Sequence, residues 1–132
     1  MRITAARRTA ARAEEGQALV EFALVAPLVL MLLFGIIQFG IAFNNSIALT
    51  DAVRAGSRAA VVAGPNGADG AARQAVLAAG GSLDTTQLST GITVKVNGSD
   101  VTVTAVYPYS IDLLGVVVKS GLLSSSTTER FE

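Results

Sequence analysis

From Phe22 to Ile37 the chain has no charged or hydrogen-bonding side chain, and over 17–43 its polar side chains are Gln17, Glu21 and Gln38 alone. A helix that crosses the hydrocarbon of a bilayer needs about 20 mostly apolar residues at about 1.5 Å each. The run is long enough, and Leu, Val, Ile, Phe and Ala surround it on every side instead of forming one stripe. It therefore predicts a membrane-spanning helix over 17–43, bent near Pro27, where one backbone hydrogen bond is lost. Glu21 is the discordant residue, a carboxylate close to the start of an apolar segment.

The helical pattern continues beyond the run. Residues 44–63 contain no proline and are rich in alanine and arginine, both good helix formers. Ala48, Ala52, Gly56, Ala60 and Gly64 recur at intervals of four and so form one narrow stripe of small residues. Such a stripe admits a second backbone at close range, from another subunit's helix or from the chain's own domain. Asp51 stands one turn before Arg54, in a favourable order for a modest ion pair. A single helix over 17–63 would be about 70 Å long, far more than a bilayer needs, so its outer half requires a covering. Gly64-Pro65-Asn66-Gly67 predicts its end, and 68–79 a short second helix closed by Gly80-Gly81.

From residue 82 the period changes. Ile92, Val94 and Val96 alternate with Thr93 and Lys95, and Val101, Val103 and Ala105 with Thr102 and Thr104. Asn97-Gly98-Ser99-Asp100 between them is a hairpin turn. Pro108 is expected to end the second strand, residues 111–120 to connect, and 121–131 to return as a third strand. The fold class is α+β, with a small antiparallel sheet placing its aliphatic face on the outer half of the long helix. Tyr107 and Tyr109 are expected at the domain edge.

Composition narrows the function. The chain has 132 residues, 51% of them hydrophobic and 15% charged, against about 25% charged in ordinary soluble domains. Its mean hydropathy is +0.53. Net charge is zero, so no basic surface points to nucleic acid. Without cysteine or histidine there is no thiol nucleophile, and the commonest general base and metal ligand is missing. The acids beyond the apolar run are scattered at turns and helix starts. No enzyme activity, cofactor or metal is expected. Arg2, Arg7, Arg8 and Arg12 precede the run, which predicts a cytoplasmic N-terminus and an extracytoplasmic remainder. A cleaved secretory signal is disfavoured, because its apolar core spans only about 7–15 residues and ends in a small-residue site.

Gly16-Gln17-Ala18-Leu19-Val20-Glu21-Phe22 resembles the processing site of type IV pilin-like proteins: a basic leader ending in glycine, then an apolar helix with glutamate at its fifth place. The Glu-Phe pair is similar to the Tad (tight adherence) branch. Phe39-Gly40 and the segment from Ala48 to Ala60 resemble the TadE-like N-terminal domain, with Ser57 where that family usually has alanine. The ending Glu129-Arg130-Phe131-Glu132 is similar to the family's strand with an Arg-x-Glu tail. Glu14 and Glu15 depart from the leader pattern, which more often has a basic residue beside the glycine.

The resemblance implies a bacterial inner-membrane protein with a leader over 1–16, a membrane helix over 17–43 and an extracytoplasmic domain over 44–132. It implies cleavage between Gly16 and Gln17 by a prepilin peptidase, and partnership with other pilin or pseudopilin subunits and the Tad assembly machinery, up to incorporation in the pilus. Glycine would give the peptidase an extended, unhindered cut site. Glu21, beside Phe22, would neutralise the new ammonium of Gln17 in its own chain or a neighbour's, because a buried charge without a partner is heavily penalised. The plainer reading is that Glu21 complements the positive end of a helix at the interface. The alternative for the whole chain is a permanently anchored extracytoplasmic binding module.

Overall fold

The computed structural model describes residues 3–113 and 115–131, with side chains described from Gly16 onward except that of Leu113. The leader arginines and the final Glu132 of the tail lie outside the described residues and side chains. The elements are α1 (Ile3–Ala79), α2 (Thr85–Gly91), β1 (Ile92–Asn97), β2 (Asp100–Leu113) and β3 (Val116–Arg130), an α+β fold. Two compact units divide the chain, Met1–Ile37 and Gln38–Glu132.

Within α1 the one residue with non-helical angles is Gly64 (φ 73°, ψ 173°). That conformation is essentially open to glycine alone. Pro65 follows, and its fixed φ suits the first position of a new helical segment. The helix therefore breaks where expected but resumes at once, instead of passing through a four-residue turn. Two further expectations are corrected. Helix extends back through Gly16 to Ile3, ahead of the expected start at Gln17. Pro27 keeps helical angles, so the expected bend there involves no break in the backbone. A proline costs a helix one hydrogen bond, here to the Ala23 carbonyl, and the remaining ladder holds the geometry.

In the second unit the two arms of α1 on either side of Gly64 pack together. A Cβ on Gly56 would stand 2.5 Å from Val76 Cγ2 and 3.2 Å from the Ala72 carbonyl oxygen, with Val103 Cγ1 of β2 at 3.5 Å. Gly56 is thus where the returning arm and the sheet both meet the first arm, and the absent side chain permits the approach. Leu49, Ala52, Val53 and Ala60 are buried around it, with Ala68, Ala72 and Val76 from the returning arm and Val101, Val103 and Ala105 from β2. Ser57 is buried as well, its Oγ donating to the Arg54 carbonyl at 3.0 Å.

The sheet has the order β1-β2-β3 and is antiparallel throughout. Asn97 pairs with Asp100 across Gly98-Ser99, and Gly98 has φ 60°, as primed hairpin turns require. The alternation is as read: Val101, Val103 and Ala105 face the core, while Thr102 and Thr104 point outward, each exchanging a 2.9 Å hydrogen bond with Thr128 and Ser126 respectively. Beyond Ala105 the pattern was misjudged. β2 does not end at Pro108 but continues to Leu113, and β3 begins at Val116, so the expected connection over 111–120 is strand and turn. Past Ala105 β1 no longer pairs with β2, so β2 has a free edge there, where a strand proline is tolerated.

α2 was unforeseen. Asp84 caps it, accepting from the Thr86 and Gln87 amides at 2.8 and 3.1 Å, and Leu88 is its buried residue. Tyr107 is buried, not at the domain edge, and its hydroxyl accepts from the Asp84 amide at 3.2 Å.

Gly56→Val forces side-chain atoms into Val76 and the Ala72 carbonyl and is expected to destabilise the second unit by about 1–3 kcal/mol. Gly70→Ala, at a helical glycine with nothing within 4 Å of the added carbon, is expected to stabilise it by about 0.4–1 kcal/mol. Thermal unfolding of the full chain in micelles, followed by circular dichroism, should move in opposite directions for the two.

Candidate processing and assembly segment

Each turn of the helix from Gly16 to Ile37 presents apolar side chains to its surroundings. The best 18-residue window in this helix has a mean hydropathy of 2.6 and none of it is buried. Leu19, Phe22, Leu24 and Leu28 are all more than two-thirds exposed. This is one helix long and apolar enough to cross a membrane, and it fits a single-pass anchor. A shallow apolar groove on it is formed by Phe22, Val25, Ala26, Val29 and Leu30.

Gly16, Gln17, Glu21 and Phe22 lie together at the start of that surface. Gly16 is exposed with open space around its α-carbon. One helical turn brings Gln17 over Glu21, and Gln17 Nε2 donates to Glu21 Oε1 at 3.2 Å. The carboxylate thus has a neutral partner, exposed together with it. Phe22 points outward with 69% exposure, leaving an aromatic ring beside the carboxylate on the helix surface.

The small-residue stripe falls elsewhere. Ala52, Gly56 and Ala60 are buried and Ala48 is half-buried, all within the second unit. Of the two occupants the pattern allowed, the chain's own returning arm and β2 fill the stripe. The helix surface left uncovered is therefore the apolar run. Arg54 and Asp51 form an exposed pair at 3.8 Å, of a kind worth little. Among the described residues no group of three or more carboxylates comes together.

One feature had no clear signal in the sequence. Phe39, Phe43, Tyr109, Ile111, Lys119 and Leu123 line an open cleft of about 270 Å³ in the second unit. The Tyr109 ring lies over its cross-strand partner Gly121, where an added Cβ would stand 2.9 Å from Cε1. The alternation of β2 past Pro108 was the available hint, and the proline obscured it.

Fold and exposed helix together define a class: an α+β protein carried on one N-terminal apolar helix. Residues 16–58 match the family described as TadE-like protein. The match begins at the glycine, contains Glu21, Phe22 and most of the small-residue stripe, and covers about a third of the chain. No curated protein and no solved structure matches the chain.

A carboxylate at the centre of a membrane helix costs about 2.5–3.5 kcal/mol on insertion scales, and less near the interface. If Glu21 served anchoring, its loss would impair insertion. Glu21→Leu is instead expected to insert into inverted membrane vesicles at least as completely as the parent, read by resistance to alkaline extraction.

Proposed function

We propose that the chain is a minor pilin or pseudopilin subunit of a Tad (Flp-type) pilus system, made as a precursor in a bacterial inner membrane. In this reading its N-terminus is cytoplasmic and its folded unit extracytoplasmic, and a prepilin peptidase cuts between Gly16 and Gln17. The new Gln17 ammonium then stands one helical turn from Glu21, where it replaces the side-chain amide as partner of the carboxylate. The mature helix packs by its apolar surface among the helices of other pilin-like subunits. The protein acts by assembly and performs no chemical step.

One observation carries this reading: an uncovered apolar helix with a single carboxylate, within a TadE-like match that starts at its glycine. A plain anchor needs no carboxylate there, whereas a bundle of such helices gains from one. Charge pairing between Glu21 and a neighbouring ammonium would fix the axial register of adjacent helices, because a buried charge missing its partner loses about 3–5 kcal/mol.

The folded outer unit favours a minor subunit over a very short major pilin, which would be little more than the helix. Because the stripe at Ala52, Gly56 and Ala60 is filled internally, the outer unit enters the assembly as a preformed body. Helix packing in the membrane would then carry most of the subunit contact.

The test is assembly in cells that produce the Tad machinery. Glu21→Leu should insert and be cleaved normally, yet its cross-linking to partner pilin-like subunits should fall by about tenfold or more, the equivalent of at least 1.4 kcal/mol. Glu21→Asp, which keeps the charge on a shorter stem, should recover part of the signal. Undiminished cross-linking and piliation in Glu21→Leu would favour the permanently anchored binding module.

A further inference from the structure

Beyond the end of β1, the strands β2 and β3 continue as a two-stranded ribbon, from Val106 opposite Ser124 to Leu113 opposite Val116. An isolated ribbon of two strands is marginal in water. This one lies along the helix within the second unit. Val103 approaches Gly56, and further along β2 Tyr109 and Ile111 stand beside Phe39 and Phe43. The ribbon therefore runs toward the end of the unit at which the chain enters, and its turn at Gly115 is the part of the sheet furthest in that direction.

The composition of that turn is unusual. Residues 113–118, LLGVVV, hold no polar side chain, and Asp112 and Lys119 bound them. Hairpin turns in water are ordinarily built from polar residues and glycine. Val116, Val117 and Val118 are 66%, 57% and 61% exposed. Successive strand residues face opposite sides, and a register shift after Ile111 falls beside these valines, so Val116–Val118 are exposed on both faces of the ribbon. The helix residues at the same end, Phe39, Ile41 and Phe43, are the exposed last turns of the apolar run. Tyr109 and Lys119 stand just behind the tip, and tyrosine and lysine are residue types that anchor at a membrane interface.

We propose that the tip valines, Val116–Val118, insert into the outer headgroup–acyl boundary of the bilayer that holds this chain's helix, to a depth of about 5–10 Å. The inference rests on the reading that the apolar run spans that bilayer. The occupant is lipid, since the tip stands at the same end of the unit as Phe39, Ile41 and Phe43, which the spanning reading places in lipid. Asp112, the cross-strand partner of Val117, limits the depth by keeping its carboxylate among the hydrated headgroups, while Lys119 reaches the phosphates. The folded unit is thereby held against the membrane at a second point until assembly removes it.

The chain has no cysteine, so single cysteines report cleanly. Val117→Cys, Ser99→Cys at the opposite turn of the sheet and Leu32→Cys in the apolar run each receive an environment-sensitive fluorophore, in the full chain in phosphatidylcholine–phosphatidylglycerol vesicles. Val117→Cys should be quenched severalfold more by a phospholipid bearing a doxyl group high on its acyl chain than by aqueous iodide, and Ser99→Cys the reverse. Iodide quenching at position 117 equal to that at 99, with position 32 lipid-quenched, would overturn the inference alone. Loss of lipid quenching at 32 would overturn the spanning reading and this inference with it. Shielding at 117 from iodide without lipid quenching, relieved by dilution into more lipid, would replace lipid with a second copy of the chain.

Discussion

A helix that is apolar on every side has nowhere in its own unit to hide, and the rest of this chain is arranged around that fact. Seventeen large apolar side chains between Leu19 and Phe43 are exposed. Full burial of one such side chain is worth about 1.5–3 kcal/mol. Left in water, even part of that sum would outweigh the stability of a typical domain, about 5–15 kcal/mol. The run therefore needs lipid or other helices. In lipid the backbone must satisfy its own hydrogen bonds, which enforces helix and lets Pro27 pass without a break.

Past Phe43 the same helix serves a different purpose. Its residues alternate between a buried stripe and exposed charges, and the stripe is made of small residues so that two other backbones can approach. Gly56 is the tightest point, touched by the returning arm and by β2 at once. The break at Gly64 makes that return possible, using a conformation that other residues rarely adopt. The C-terminal half of the helix builds a folded unit, and the N-terminal half is left bare with one carboxylate near its start.

The elements legible in the sequence were those set by a strong local rule. Gly64-Pro65 marked the helix break, Asn97-Gly98-Ser99-Asp100 the hairpin, and alternation of valine with threonine the faces of the sheet. Elements decided by tertiary context were not. α2 is TTQLSTG, a poor helix former by propensity, and it stands because Asp84 caps it and Leu88 is buried. Pro108 read as a strand end because its tolerance depends on β1 stopping short, which no local pattern records. Of the site, Gly16, Gln17, Glu21 and Phe22 were legible as a motif, and the structure adds their shared exposure and the Gln17–Glu21 hydrogen bond. The stripe was legible as a packing surface, but the identity of its occupant required the fold.

The most direct test of a pilin-type life for this chain is the intact mass of the protein recovered from membranes of cells with and without their prepilin peptidase. The account predicts a mature chain beginning at Gln17 when the peptidase is present and the uncut precursor when it is absent. An uncut chain in both would contradict it and leave an ordinary membrane anchor, and a cut beyond Phe43 would contradict the anchor as well.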